Sequence, residues 1–173
     1  MDKRKYEITG EKIEWNGHVL YRIRALQDFI RPDGLWIVKA GEIGGWIENE
    51  RNLSQSGSAW IDGSAKVYDC ARVIENAMVY DHAQVFAHAQ ISGNARIYGH
   101  AIVSGKAKIY GHADISEDAV ITGAAVVFDY AQVAEDAWIG GNTKVHGHAF
   151  VHCEAVIKTG DITGHVYARK DNQ

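Results

Sequence analysis

Between residues 59 and 157 an aliphatic side chain returns at every sixth position without a slip. Val or Ile fills all 17 places, from Ile61, Val67 and Val73 through to Val145, Val151 and Ile157. Two residues before each stands Ala, from Ala59 to Ala155, and only Thr143 departs from this. Self-similarity at a fixed period defines an architecture and outranks local propensity. In the unit Ile97-Tyr98-Gly99-His100-Ala101-Ile102, Ala101 and Val103 alternate with Ile102 and Ser104. Strand side chains alternate between faces, so Ala and Val point one way while residues 102 and 104 point the other. The pairs Gly99-His100, Gly93-Asn94, Asp81-His82 and Glu135-Asp136 are turn chemistry, because Gly, Asp, Asn and His tolerate positive φ. A four-residue strand and a two-residue corner make one side of a triangle. Three such units close an 18-residue coil, and coils stack at the strand spacing of about 4.8 Å. The predicted fold is all-β, a parallel β-helix of about 5.7 coils and on the order of 27 Å long. Each inward Val or Ile contributes about 1.5–3 kcal/mol of burial, largely offset by chain entropy.

Two resemblances attach to these residues. The hexad pattern resembles the hexapeptide repeat of left-handed parallel β-helix proteins; left-handed winding is implied by that resemblance, against the general right-handed rule for parallel crossovers. The run YRIRALQDF, then VKAGEIGGWIENERNLS and GSAWIDGSAKVYDCARV, resembles the YdcK-like group of bacterial and prophage-borne hexapeptide-repeat proteins. Those share a cap ending in Gly-Gly-Trp/Phe-Ile/Val-Glu, followed by Asn-Leu-Ser and the repeats. Such proteins are labelled transferases by fold, and a fold does not fix an activity.

Domain boundaries follow from where the beat starts and stops. Leu53 lies eight residues before Ile61, so the hexad begins after Ser58. Residues 1–58 are predicted to form a small β cap over the open first coil, whose edge would otherwise invite aggregation. Asn16-Gly17 between two alternating runs predicts a hairpin over residues 5–24. Arg31-Pro32-Asp33-Gly34 reads as a turn; Leu35-Trp36-Ile37-Val38 and Gly44-Gly45-Trp46-Ile47 read as short strands. The β-helix is assigned to residues 59–160. Ile162 and Val166 are out of register, so residues 161–173 are predicted as a closing cap or tail.

Charge excludes some functions. The net charge is −4, with nine acids and nine bases in residues 1–58 and 13 acids and nine bases beyond. That balance carries no nucleic-acid footprint. No apolar run is long enough to span a membrane, and no signal-peptide pattern is present. Cys70 and Cys153 fall more than four coils apart, too far to bridge. These features predict a cytoplasmic protein.

The outward residues sort into columns of period 18. One wall carries Lys66, Gln84, Ile102, Val120, Trp138 and Val156, beside Tyr68, Phe86, Ser104, Thr122, Gly140 and Lys158. Phe86, Ile102, Val120, Trp138 and Val156 are the candidate interface, since exposed apolar stripes mark association and Trp is a favoured anchor. Hexapeptide-repeat proteins commonly form trimers, so the resemblance implies a homotrimer. Tyr80 with Tyr98, and Tyr110 with Phe128, would stack on adjacent rungs and are the ligand-binding candidates. Of nine histidines, His146, His148 and His152 gather near the C-terminal end as metal candidates.

Three functional classes remain open. The first is a non-catalytic binding or scaffold protein, homo-oligomeric, requiring no cofactor. If phage- or prophage-borne, as the resemblance implies, it would act on a host or defence-system protein or sequester a signalling nucleotide. The second is acyl transfer from acyl-CoA, with His82, His100 or His112 as general base; the enzymes resembled usually carry a loop that breaks the repeat, and none interrupts residues 58–157. The third is a hydratase of the gamma carbonic anhydrase type, whose paired histidines five apart are missing here.

Overall fold

The structure, a computed structural model, describes residues 4–31, 34 and 37–168. It is all-β, and among these residues there is no helix. Parallel strands stack into three walls of a β-helix with about seven turns. The first wall runs through Lys66–Val67, Gln84–Val85, Ile102–Val103, Val120–Ile121, Trp138–Ile139 and Val156–Ile157. The second runs from Arg72–Val73 through Lys144–Val145 to Asp161–Ile162, and the third from Trp60–Ile61 to Phe150–Cys153 and His165–Ala168. Between Trp60 and Ile157 the rungs pair in register at a separation of 18 residues, as in Gln84↔Ile102 and Val120↔Trp138. The inward Ala and aliphatic columns are buried and form one continuous core. Thr143, the single break in the Ala column, is fully buried, and its hydroxyl donates to Gly140 O at 2.8 Å.

The winding is longer than the 5.7 coils of the hexad count, and it passes the 59–160 limits at both ends. Trp46-Ile47 pairs with Lys66-Val67, and Leu53 bridges Val73. At the other end Ile162 pairs with Val145 and Val166 with Val151. The inward beat thus continues through Ile47, Leu53, Ile61 and again through Ile157, Ile162, Val166, joined by corners of unequal length. Pairing needs only that the next strand arrive at its rung. A longer or shorter corner satisfies that while hiding the period from a sequence count.

Within the hexad run every corner has one residue in the left-handed region. All 17 positions from Gly57 to Cys153, taken every six residues, have φ between +56° and +71°. The strain falls on the first residue of each corner pair. His82, His100 and His112, second in their pairs, carry no positive φ, so conformational tolerance does not explain histidine there. In five of the six slots that hold an acid, all but Glu117, the carboxylate reaches one rung up. Asp69 accepts from Ala87 N at 3.1 Å, Glu75 from Gly93 N at 2.7 Å, and Asp81 from Gly99 N at 3.2 Å. Asp129 does the same for Gly147 N at 3.2 Å, and Glu135 for Cys153 N at 2.9 Å. These corner N–H groups stand outside the inter-coil ladder, and a charged acceptor is their strongest available partner.

The cap is built from β1 (Tyr6–Trp15), β2 (His18–Ala25), β3 (Phe29–Ile30), β4 (Ile37–Val38) and β5 (Ile43–Ile47). Asn16 (φ 49°) and Gly17 (φ 85°) turn the β1–β2 hairpin, the Asn-Gly geometry that matches strand twist. Pro32, Asp33, Leu35 and Trp36, and residues 169–173, lie outside the described residues; Ile37–Val38 pairs with Phe29–Ile30. Strand β5 joins β2 antiparallel on one side and the first wall parallel on the other. Gly44 and Gly45 permit this: a Cβ on Gly44 would lie 2.6 Å from Trp60, and one on Gly45 2.5 Å from Ile61.

The first coil also presents carbonyls with no preceding rung to donate to them, and cap side chains take that place. Lys5, 1% exposed, donates from Nζ to Ala59 O at 2.7 Å and Gly57 O at 3.3 Å. Buried Asn52 donates to Ala71 O at 2.9 Å and Asp69 O at 3.1 Å. Arg22 donates to Gly63 O at 2.7 Å. The carbonyls of Ala59 and Ala71 are buried and would be costly to leave unpaired, so Lys5 and Asn52 make the coil's first edge tolerable.

Candidate functional site

The apolar stripe lies where its period places it, on the first wall. Its lower rungs are occupied by the cap. Tyr68 stacks on Phe86 with centroids 5.1 Å apart, and His18 tilts onto Tyr68 at 5.0 Å. Trp15 donates to Gln84 Oε1 at 3.3 Å, and the Lys66 ammonium sits 4.1 Å over the Trp15 ring. Leu20, Trp46 and Tyr68 form a second buried cluster against which Trp15 and Phe86 pack. Phe86 is therefore engaged within the chain. Beyond it, Ile102, Val120 and Trp138 are half-buried on the open wall, and Val156 is 63% exposed at its end. The Trp138 ring covers Gly140, where an added Cβ would sit 2.1 Å from it. Ser104 and Thr122 hydrogen-bond each other at 3.1 Å along the same wall. The result is a level apolar face edged by hydroxyls.

Aromatic ladders flank the corner between the second and third walls. Tyr110, Phe128 and His146 stack at 5.1 and 4.7 Å. Beside them His112, Tyr130 and His148 stack at 4.9 and 5.2 Å. Tyr80 and Tyr98 stack at 5.0 Å, and burial raises the Tyr80 phenol to about 12. These rings satisfy one another at rung spacing, a cross-strand stabilisation. His82 stacks on His100 at 4.9 Å. Among the described residues neither ring hydrogen-bonds to a carboxylate, and each is held by its stack on the other. His112 faces Asn94 at 3.5 Å instead.

The three C-terminal histidines are not brought together. His146 pairs with Asp161, and His148 ends the Tyr130 ladder. His152 stacks on Phe150 at 4.3 Å and lies with Cys153 and Glu135, a grouping that hexad columns alone do not show. Neither cysteine is disulfide-bonded.

Two further features lie where cap meets coil. His18 Nδ1 is 3.0 Å from Glu48 and its Nε2 is 3.5 Å from Asp69. The hydrogen bond with Glu48, then the charge of Asp69, hold His18 above its ordinary range. With both nitrogens facing carboxylates, the ring acts as an imidazolium clasp. A groove of about 670 Å³ opens nearby, with Arg51 and Arg72 near Glu50, Asp69 and Cys70. Leu53 lines it too; its rung was invisible to the hexad count, so the groove was as well.

Among the described residues no helix is long and apolar enough to cross a membrane. The fold defines the class: a capped parallel β-helix. No protein-family model matches the chain, and no curated protein matches it.

Proposed function

We propose that this is a non-catalytic binding scaffold that self-associates through the first wall. The supporting observation is the stripe Ile102, Val120, Trp138 and Val156, level with Gly140 and bounded by the Ser104–Thr122 pair. Apolar faces of this kind mark interfaces, and Trp is a favoured anchor. The regular rungs from 59 to 157 carry no inserted loop that would wall an acyl-CoA site. The resemblance to left-handed hexapeptide-repeat proteins of the YdcK-like group supports a trimer. It also supports a cytoplasmic, prophage-borne role toward a host or defence-system protein, or a signalling nucleotide held at subunit clefts. The test is light-scattering mass of the wild type and Trp138→Asp, with far-UV circular dichroism as the folding control. The wild type should run as an oligomer and the variant as a monomer with the same β spectrum. A monomeric wild type, or an unchanged mass for the variant, overturns the reading.

A further inference from the structure

The left-handed corner column holds Gly, Asp, Glu, one Ala and a single Cys, Cys153. At that corner the side chains of residues 152 and 153 converge. Cys153 Sγ lies 3.1 Å from His152 Nδ1. One rung below, Glu135 occupies the same slot. Its Oε2 is held by the Cys153 N–H at 2.9 Å, and its Oε1 faces His152 Nδ1 at 3.9 Å. One ligand atom from each of the three lies within 4.8 Å of the others. The His152 ring is oriented by its stack on Phe150.

We propose that Glu135, His152 and Cys153 form a zinc site. The donor set is a thiolate sulfur, an imidazole nitrogen and a carboxylate oxygen, a combination that selects zinc over hard cations. Zinc–ligand distances of about 2.0–2.3 Å put tetrahedral donor atoms about 3.3–3.6 Å apart. The observed 3.1 and 3.9 Å bracket that spacing, and the remaining sulfur–carboxylate pair lies within 4.8 Å. The backbone hydrogen bond to Glu135 Oε2 fixes the carboxylate from behind, the kind of support that metal ligands receive from their surroundings. Binding displaces the thiol proton to solvent and leaves His152 neutral, with its second nitrogen protonated. Three protein ligands leave the fourth position to water. The other His and carboxylate grouping, His18 with Glu48 and Asp69, turns a different ring nitrogen to each acid and offers no thiolate.

The test uses the full chain stripped of metal. Cobalt(II), as a spectroscopic stand-in for zinc, should bind one equivalent per chain with a thiolate-to-cobalt absorption band. Cys153→Ser and His152→Ala should abolish the band and weaken zinc binding, in competition with a chromophoric chelator, by more than about tenfold; loss of an outer partner already costs that much. His18→Ala should bind as the wild type does. A second measurement needs no variant: zinc should slow alkylation of Cys153 and leave exposed Cys70 unaffected, as read by peptide mass spectrometry. No thiolate band at saturating cobalt overturns the proposal. So does unchanged affinity in Cys153→Ser, or equal alkylation of Cys153 with and without zinc.

Discussion

Lys5→Met tests whether a buried ammonium closes the coil. Burial lowers the Lys5 pKa from 10.5 to about 8. A difference of about 2.5 units corresponds to roughly 3 kcal/mol of penalty on the charged form. The sign follows from proton counting. Below about pH 8 the amine is protonated both folded and unfolded, and the full penalty stands. Between about pH 8 and 10.5 the unfolded chain holds the proton and the folded chain does not, so stability rises with pH. Above 10.5 the contribution is fully present, and it is lost as pH falls through about 8. Lys5→Met removes this gradient and also leaves the carbonyl of buried Ala59 without its donor, at about 1–3 kcal/mol; exposed Gly57 O is left to solvent. Urea unfolding of both proteins at several pH values gives the comparison. Other groups that titrate over the same range cancel in the difference. The wild type should gain about 3 kcal/mol on Lys5→Met between about pH 7 and 11. A difference that stays flat across that range, or one that narrows, refutes the argument.

Corner strain separates two substitutions that look alike on paper. Gly147→Ala meets open space, so only its φ of +66° opposes it, at about 1–2 kcal/mol. Gly141→Ala would place Cβ 1.9 Å from Lys158 O and should cost clearly more in the same urea assay; equal losses would discredit the close-approach reading. For the cap clasp, the raised pKa of His18 means its contribution stands below the unfolded value of 6.5 and fades as pH climbs through the folded value. The melting temperature of the wild type should therefore exceed that of His18→Gln at about pH 6, with the gap shrinking toward about pH 8. A gap that widens on that rise would contradict the clasp.

The hexad made the walls, the core columns and the stripe legible, because each depends only on a strict period. Three things were hidden. Ile47, Leu53, Ile162 and Val166 are rung residues joined by irregular corners; periodicity cannot see a corner of the wrong length. The fate of Phe86 depended on where a hairpin tip 70 residues earlier comes to rest, near Trp15 and Gln84. The Glu135–His152–Cys153 grouping mixes a corner residue with an outward one on the next rung, so no single column contains it. Positive φ was expected for the corner pairs, but its restriction to their first member follows from the coil's geometry rather than from residue preference.

Eighteen-residue pairing also makes the molecule a ruler with fixed graduations. Duplicating one whole lap in the middle would lengthen the rod by a single strand spacing and return every later side chain to its own wall. Removing six residues instead would swing everything downstream by a third of a revolution. Trp138 would then face a different direction from Ile102 and Val120, while the hydrocarbon interior stayed in step. Such a chain can alter its length in whole laps without disturbing its lateral contacts, and it can rewire those contacts by slipping one side of the triangle.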